Sequence, residues 1–96
     1  MKHLIIVKFN EGYYTKEVKE QINDLFIRIK EEVEGINKVS LLDNIVSRPN
    51  NADLIICIDF VNKDALNNFF KSDLHIEFKE RFSDNFQNKL IFDYEE

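Results

Sequence analysis

The sequence predicts an α+β sandwich, one four-stranded antiparallel sheet with helices on one face. Three observations carry this. Residues 3–9, 53–60 and 89–94 alternate with the period of a strand. Residues 16–34 instead repeat apolar side chains at helical spacing. The elements follow one another as βαββαβ, two split βαβ units with a hairpin between them, which is the ferredoxin-like pattern.

The first strand sets His3, Ile5, Val7 and Phe9 against Leu4, Ile6 and Lys8. Glu11-Gly12 breaks it, and Thr15 can cap the first helix, with Glu17 favourably placed in the opening turn. Along that helix Val18, Ile22, Leu25, Phe26, Ile29 and Val33 form one apolar stripe, and Gly35 supplies a left-handed stop. Residues 36–46 read as a second strand, less regular around Asp43 and Asn44. Ser47-Arg48-Pro49-Asn50-Asn51 is a turn cluster, since proline fixes φ and asparagine tolerates positive φ. The third strand sets Leu54, Ile56, Ile58 and Phe60 against Asp53, Ile55, Cys57 and Asp59. Asn62 can cap a helix carrying Ala65, Leu66, Phe69 and Phe70, and Ser72 another with Leu74, Phe78 and Phe82. The last strand sets Leu90, Phe92 and Tyr94 against Ile91 and Asp93.

Ninety-six residues make one domain, spanning 1–96, and 44% hydrophobic residues with nine phenylalanines mark it as globular. The formal charge of −5 leaves no basic stripe for nucleic acid and disfavours an anionic membrane. No apolar run approaches the roughly 18 residues of a membrane span. The first ten residues read as a strand with no signal-peptide core, and a single cysteine fits a reducing compartment, so a cytoplasmic address is expected.

Each central strand has one purely apolar face: Ile5/Val7/Phe9, Leu54/Ile56/Ile58/Phe60 and Leu90/Phe92, expected beneath the helices. The opposite face is not polar either. It carries Leu4, Ile6, Ile55, Cys57 and Ile91, with Lys8, Asp59 and Asp93 toward its edges. A patch of that kind exceeds what soluble monomers leave in water, and a second copy of the sheet is its simplest cover. A homodimer is therefore predicted.

The only two histidines are the first candidates for proton transfer, because an imidazole titrates near neutrality. His3 shares a strand face with Ile5, Val7 and Phe9, which points it toward the helices. His75 lies one turn from Phe78 and two from Phe82, on the edge of their stripe. Both can therefore meet one cavity, with Ile5, Val7, Phe69, Phe78 and Phe82 as its lining. Zinc needs three protein ligands, and nothing at helical spacing completes the pair, so no metal site is predicted. Cys57 reads as a buried inert thiol, and Asp59 and Asp93 as rim charges of the dimer face. Tyr13 and Tyr14 are placed to gate a pocket, while Gly12 and Gly35 serve turns and build no phosphate loop.

The ordered segments Lys2–Phe9, Gly35-Ile36, Asp53–Phe60, Leu74–Phe78 and Leu90–Tyr94 together resemble the stress-responsive A/B barrel domain, the Dabb family of dimeric α/β barrels. The resemblance spans essentially the whole chain and implies a homodimer whose sheets pack face to face. The family's cyclase branch works without metal or organic cofactor, and none is expected here. In a branch similar to polyketide cyclases, a strand histidine and a helix histidine serve proton transfer, and His3 and His75 fall on those positions. A tyrosine that contributes there is Phe69 here, and the family's frequent His-Pro-x-His segment appears as Ser72-Asp73-Leu74-His75.

Two functional readings follow. One is a stress-associated homodimer that binds a small hydrophobic ligand in a pocket between helices and sheet, with no assignable activity. The other is a cofactor-independent cyclase or lyase on an enolisable carbonyl compound, with His3 and His75 as acid–base residues. A monooxygenase-like dimeric barrel acting on a quinol or haem ranks behind these, since neither tryptophan nor a flavin or haem signature occurs.

Overall fold

The computed structural model describes residues 1–96. Its elements are β1 (Lys2–Phe9), α1 (Lys16–Glu32), β2 (Ile36–Asp43), β3 (Leu54–Phe60), α2 (Lys63–Lys71), α3 (Asp73–Phe82), a 3₁₀ turn (Ser83–Asn85) and β4 (Phe86–Tyr94). The sheet has four strands in the order β2-β3-β1-β4, all neighbours antiparallel. This is the ferredoxin-like arrangement, with β1 and β3 central and the helices over one face.

Local chemistry sets the boundaries. Thr15 Oγ1 accepts from Val18 N at 3.2 Å and Asn62 Oδ1 from Ala65 N at 2.9 Å, each satisfying a donor the first helical turn leaves free. Ser72 does two jobs. Its N–H closes the end of α2 on the Phe69 carbonyl, and its hydroxyl accepts from His75 N to open α3. β2 stops at Asp43, three residues short of its expected end. There the Asn44 and Asn51 side-chain amides both donate to the Val46 carbonyl and fold the chain into a loop.

Seventeen apolar residues form one core between the helices and the inner sheet face. Ile5, Val7, Phe78 and Phe82, expected to line a pocket, are packed in this core, at most 3% exposed. Phe69 is also fully buried there. The core needs a close approach of α2 to the end of α1. At Gly35, with φ +87°, an added Cβ would fall 2.4 Å from the Ala65 Cβ.

The expected facing of β4 is corrected. Directly opposed residues of an antiparallel pair share a face, and the register sets Ile91 opposite Ile5, Asp93 opposite His3, Phe92 opposite Leu4 and Leu90 opposite Ile6. Ile91 and Asp93 therefore belong to the helix-covered face, and Leu90 and Phe92 to the other, where they are 59% and 57% exposed. Leu90-Ile91-Phe92 is apolar in both phases, so alternation alone could not choose. A register shift opposite Lys8/Phe9 skips Gln87 and brings Phe86 inward, where its ring meets Phe9 edge-on at 5.3 Å.

The outer face runs in rows across all four strands. Leu42, Ile55, Ile6 and Leu90 make one, and Ser40, Cys57, Leu4 and Phe92 the next. The third row ends the apolar stretch with Lys38, Asp59, Lys2 and Tyr94, where Lys2 pairs with Asp59 at 3.6 Å.

Candidate active site

His3 is the one polar residue in the buried set, 1% exposed. β1 places it among the rings of Phe60 on β3 and Phe69 and Phe70 on α2, all edge-on at 5.5–6.4 Å. Such a position leaves an imidazole nitrogen without a partner unless the fold supplies one. Asp93 supplies it, with Nδ1 and Oδ1 2.5 Å apart across the β1–β4 ladder. The carboxylate accepts, so Nδ1 carries the proton and Nε2 is left as the second ring position. No buried side-chain nitrogen or oxygen lacks a partner, so Nε2 is not fully enclosed, although the ring as a whole is only 1% exposed.

His75 enters from the first turn of α3, half-buried. Its Nδ1 donates to the Phe70 carbonyl at 3.3 Å, in the final turn of α2 where carbonyls have no helical donor. A carbonyl only accepts, so here too Nδ1 holds the proton and Nε2 presents the lone pair. Burial lowers the His75 pKa below the ordinary 6.5, and the charges of Lys79, Lys89 and His3 add to that effect against the Phe70 hydrogen bond. The ring is thereby kept as a neutral base.

The two histidines converge on the same pair of phenylalanines. Phe69 stands 4.7 Å from His75 and 6.4 Å from His3, and Phe70 stands 5.4 Å and 5.5 Å from them. Phe69 is buried, whereas Phe70 is 42% exposed. The arrangement is an aromatic cluster holding two imidazoles, each oriented through Nδ1, with Phe70 on its exposed side.

Asp93 is the member that sequence reasoning missed, having placed it on the opposite face. The available signal was the asymmetry of the strand itself. Of its two phases, only one gives the buried His3 a carboxylate neighbour.

A separate cleft of about 750 Å³ lies at the far end of β1, between the loop after that strand and the loop joining β2 to β3. Lys8, Gly12, Asn44 and Arg48 are among its walls. Tyr14, expected as a pocket gate, lines this cleft, stacked on Phe9 at 4.8 Å, with its hydroxyl donating to Asp43 at 2.8 Å. Burial, followed by the Asp43 bond, pushes the Tyr14 phenol upward. Tyr13 packs beside Phe9 at 5.7 Å, and neither tyrosine approaches the imidazoles. No three His, Cys, Asp or Glu side chains gather as metal ligands, and no helix is long and apolar enough to cross a membrane.

Fold and site together define a small ferredoxin-like α+β protein with a buried histidine paired to an exposed aspartate across its sheet. A sequence model of the Stress responsive A/B Barrel Domain family, Dabb, matches residues 1–96, and the chain belongs to that family. None of the curated proteins matches it. Among solved structures, the chain is similar to the Arabidopsis thaliana protein At3g17210, at 21% identity and TM-score 0.82, over 99% of this chain and 93% of that one. It is also similar to a hydroxynitrile lyase from Passiflora edulis, at 13% identity and TM-score 0.80, over 97% and 89% of the two chains. A dimeric ferredoxin-like protein of unknown function from Bacteroides fragilis superposes with TM-score 0.75 at 16% identity, over 99% and 94%. At such identities the likeness speaks for the fold alone.

Proposed function

We propose that this Dabb protein is a homodimer that binds a small carbonyl compound between α2, α3 and the sheet. There it moves a proton on the carbon next to the carbonyl, without a cofactor. One observation carries the reading: His3 and His75 are both anchored through Nδ1 beside the same two phenylalanine rings, which leaves both Nε2 atoms to meet a ligand. A general base needs that geometry first and a suitable protonation state second.

In the proposed step, His3 Nε2 takes a proton from the α-carbon. The C–H electron pair moves into the enolate, and the new imidazolium is stabilised by Asp93 at 2.5 Å. Return of the proton to carbon restores the ketone. His75, held neutral, accepts a hydrogen bond from a ligand hydroxyl or shares the proton in transit. The reaction needs no oxidant, reductant or third reactant.

The test is α-hydrogen exchange of acetophenone in deuterated buffer, followed by proton NMR. The protein accelerates exchange above buffer, and His3→Ala and His75→Ala each abolish most of the acceleration. Exchange equal to that in buffer, or unaffected by both substitutions, overturns the reading.

Dimerisation through the outer face is part of the proposal. Leu4, Ile6, Ile55 and Cys57 are only partly covered in one chain, and Leu90 and Phe92 are mostly exposed. The neighbour described as dimeric has the same fold.

A further inference from the structure

We infer that Phe70 is the gate of this site, and that its ring holds the place of a ligand about one planar six-membered ring in size. The inference rests on reading His3 and His75 as one site and names what that site admits. It starts from the oddity of Phe70 among its neighbours. Phe69, the preceding residue, is fully buried in the core, as are Phe60, Phe78 and Phe82 within 3%. Phe70 instead leaves 42% of its surface in water, although its inner side lies against both imidazoles at nearly equal distances, 5.5 Å to His3 and 5.4 Å to His75.

That geometry makes Phe70 the one aromatic side chain beside the two imidazoles that can leave without opening the core. Its position in the fold helps. Phe70 sits one residue before the last residue of α2 and two before Ser72, where the backbone turns extended (ψ 148°) before α3 begins. Its carbonyl stays held by His75, so an outward turn about χ1 would move the side chain alone, a motion exposed side chains make in nanoseconds or less. Rotation outward would vacate the space that its ring now fills beside Phe69 and the two imidazoles.

The gate also sets specificity. Space vacated by a phenyl ring suits a flat, largely apolar ligand with one polar group, such as an aryl ketone. A sugar or a nucleotide would leave its polar groups unpaired against Phe60 and Phe69. In the resting arrangement the ligand must first displace Phe70, so apparent affinity is reduced by the fraction of time the gate stands open.

Acetophenone binding to the whole protein, followed through the imidazole signals of His3 and His75 by NMR, decides the matter. Phe70→Ala removes the competitor for the space, and an open fraction of about a tenth or less gives at least about a tenfold tighter apparent Kd than wild type. Phe70→Leu, which keeps an apolar side chain if the alanine variant fails to fold, tightens binding by a smaller factor. Phe70→Trp weakens it. Equal affinity in wild type, Phe70→Leu and Phe70→Trp, or shifts at the Tyr14 cleft in place of the imidazoles, would overturn the gate. Tight binding to Phe70→Ala with no acceleration of α-hydrogen exchange upholds the gate and removes the proton-transfer reading, so the two fail separately.

Discussion

His3 Nδ1 and Asp93 Oδ1 stand 2.5 Å apart across neighbouring antiparallel strands, joining an imidazole that is 1% exposed to a carboxylate that is 42% exposed. The pair is at once structural and, on the proposed reading, functional. Asp93→Ala leaves a buried ring N–H without its acceptor and destabilises the domain by about 1–3 kcal/mol, read from urea unfolding. Asp93→Asn keeps a carbonyl acceptor and recovers most of that stability, but loses the charge that would stabilise an imidazolium. Exchange on acetophenone therefore falls by about a hundredfold or more in Asp93→Asn while the fold stands. Full exchange activity in that variant would make Asp93 a packing partner only.

The neutral His75 predicts a pH dependence of stability. Its folded pKa lies below the ordinary 6.5, chiefly through burial. Between the two values the unfolded chain binds the proton and the folded one does not, so stability rises with pH across that window. Above pH 6.5 both states are neutral and the contribution is flat. As pH falls from 6.5 toward the folded pKa, stability is lost; below it the loss levels off. Urea midpoints taken between pH 7.5 and 5 should therefore drop on acidification more in wild type than in His75→Gln. Parallel curves for the two proteins contradict the assignment.

The two glycines make a controlled comparison. Both have positive φ, +78° at Gly12 and +87° at Gly35, but only Gly35 is crowded, with Ala65 Cβ 2.4 Å from a built Cβ and Val61 Cγ2 at 3.2 Å. Gly12→Ala therefore costs only the left-handed backbone term, about 1–2 kcal/mol. Gly35→Ala adds an overlap against the α2 backbone's own side chain, for a total of about 2–4 kcal/mol. The difference between the two midpoints in thermal or urea unfolding is the measurement, and equal losses would contradict the packing described here.

Most of the fold was legible because single-phase patterns dominate the chain. Residues 3–9 and 53–60 each carry their charges, Lys8, Asp53 and Asp59, on one parity, which marks that face as the outer one, and the stripe from Ile22 to Ile29 leaves one orientation for α1. The caps at Thr15, Asn62 and Ser72 were equally readable, since each is a short polar residue directly before an apolar repeat. β4 was not, because Leu90, Ile91 and Phe92 satisfy either face and the register shift opposite Lys8/Phe9 is a pairing property that no local pattern encodes. That single ambiguity hid Asp93. That Ile5, Val7, Phe69, Phe78 and Phe82 close on one another and leave Phe70 partly exposed was likewise invisible, because packing depends on how α2 ends at Ser72 and not on the residue types alone.

The corrected phase of β4 sharpens the dimer prediction. Phe92 sits opposite Leu4 and Leu90 opposite Ile6 on the outer face, while Ile91 sits opposite Ile5 on the inner one. A carboxylate introduced at Leu4 or Phe92 would be buried without a partner between two sheets, a cost of about 3–5 kcal/mol that weakens association by more than a hundredfold. Light scattering should therefore give twice the chain mass for the wild type and the single-chain mass for Leu4→Asp and Phe92→Asp at micromolar concentration. Ile91→Ala, which trims the inner face at the sheet edge, leaves the dimer intact and lowers only the unfolding midpoint. Had alternation from Leu90 been the right guide, Ile91 would belong to the interface and Phe92 to the core. Phe92→Asp would then unfold the chain, and Ile91→Ala would loosen the dimer.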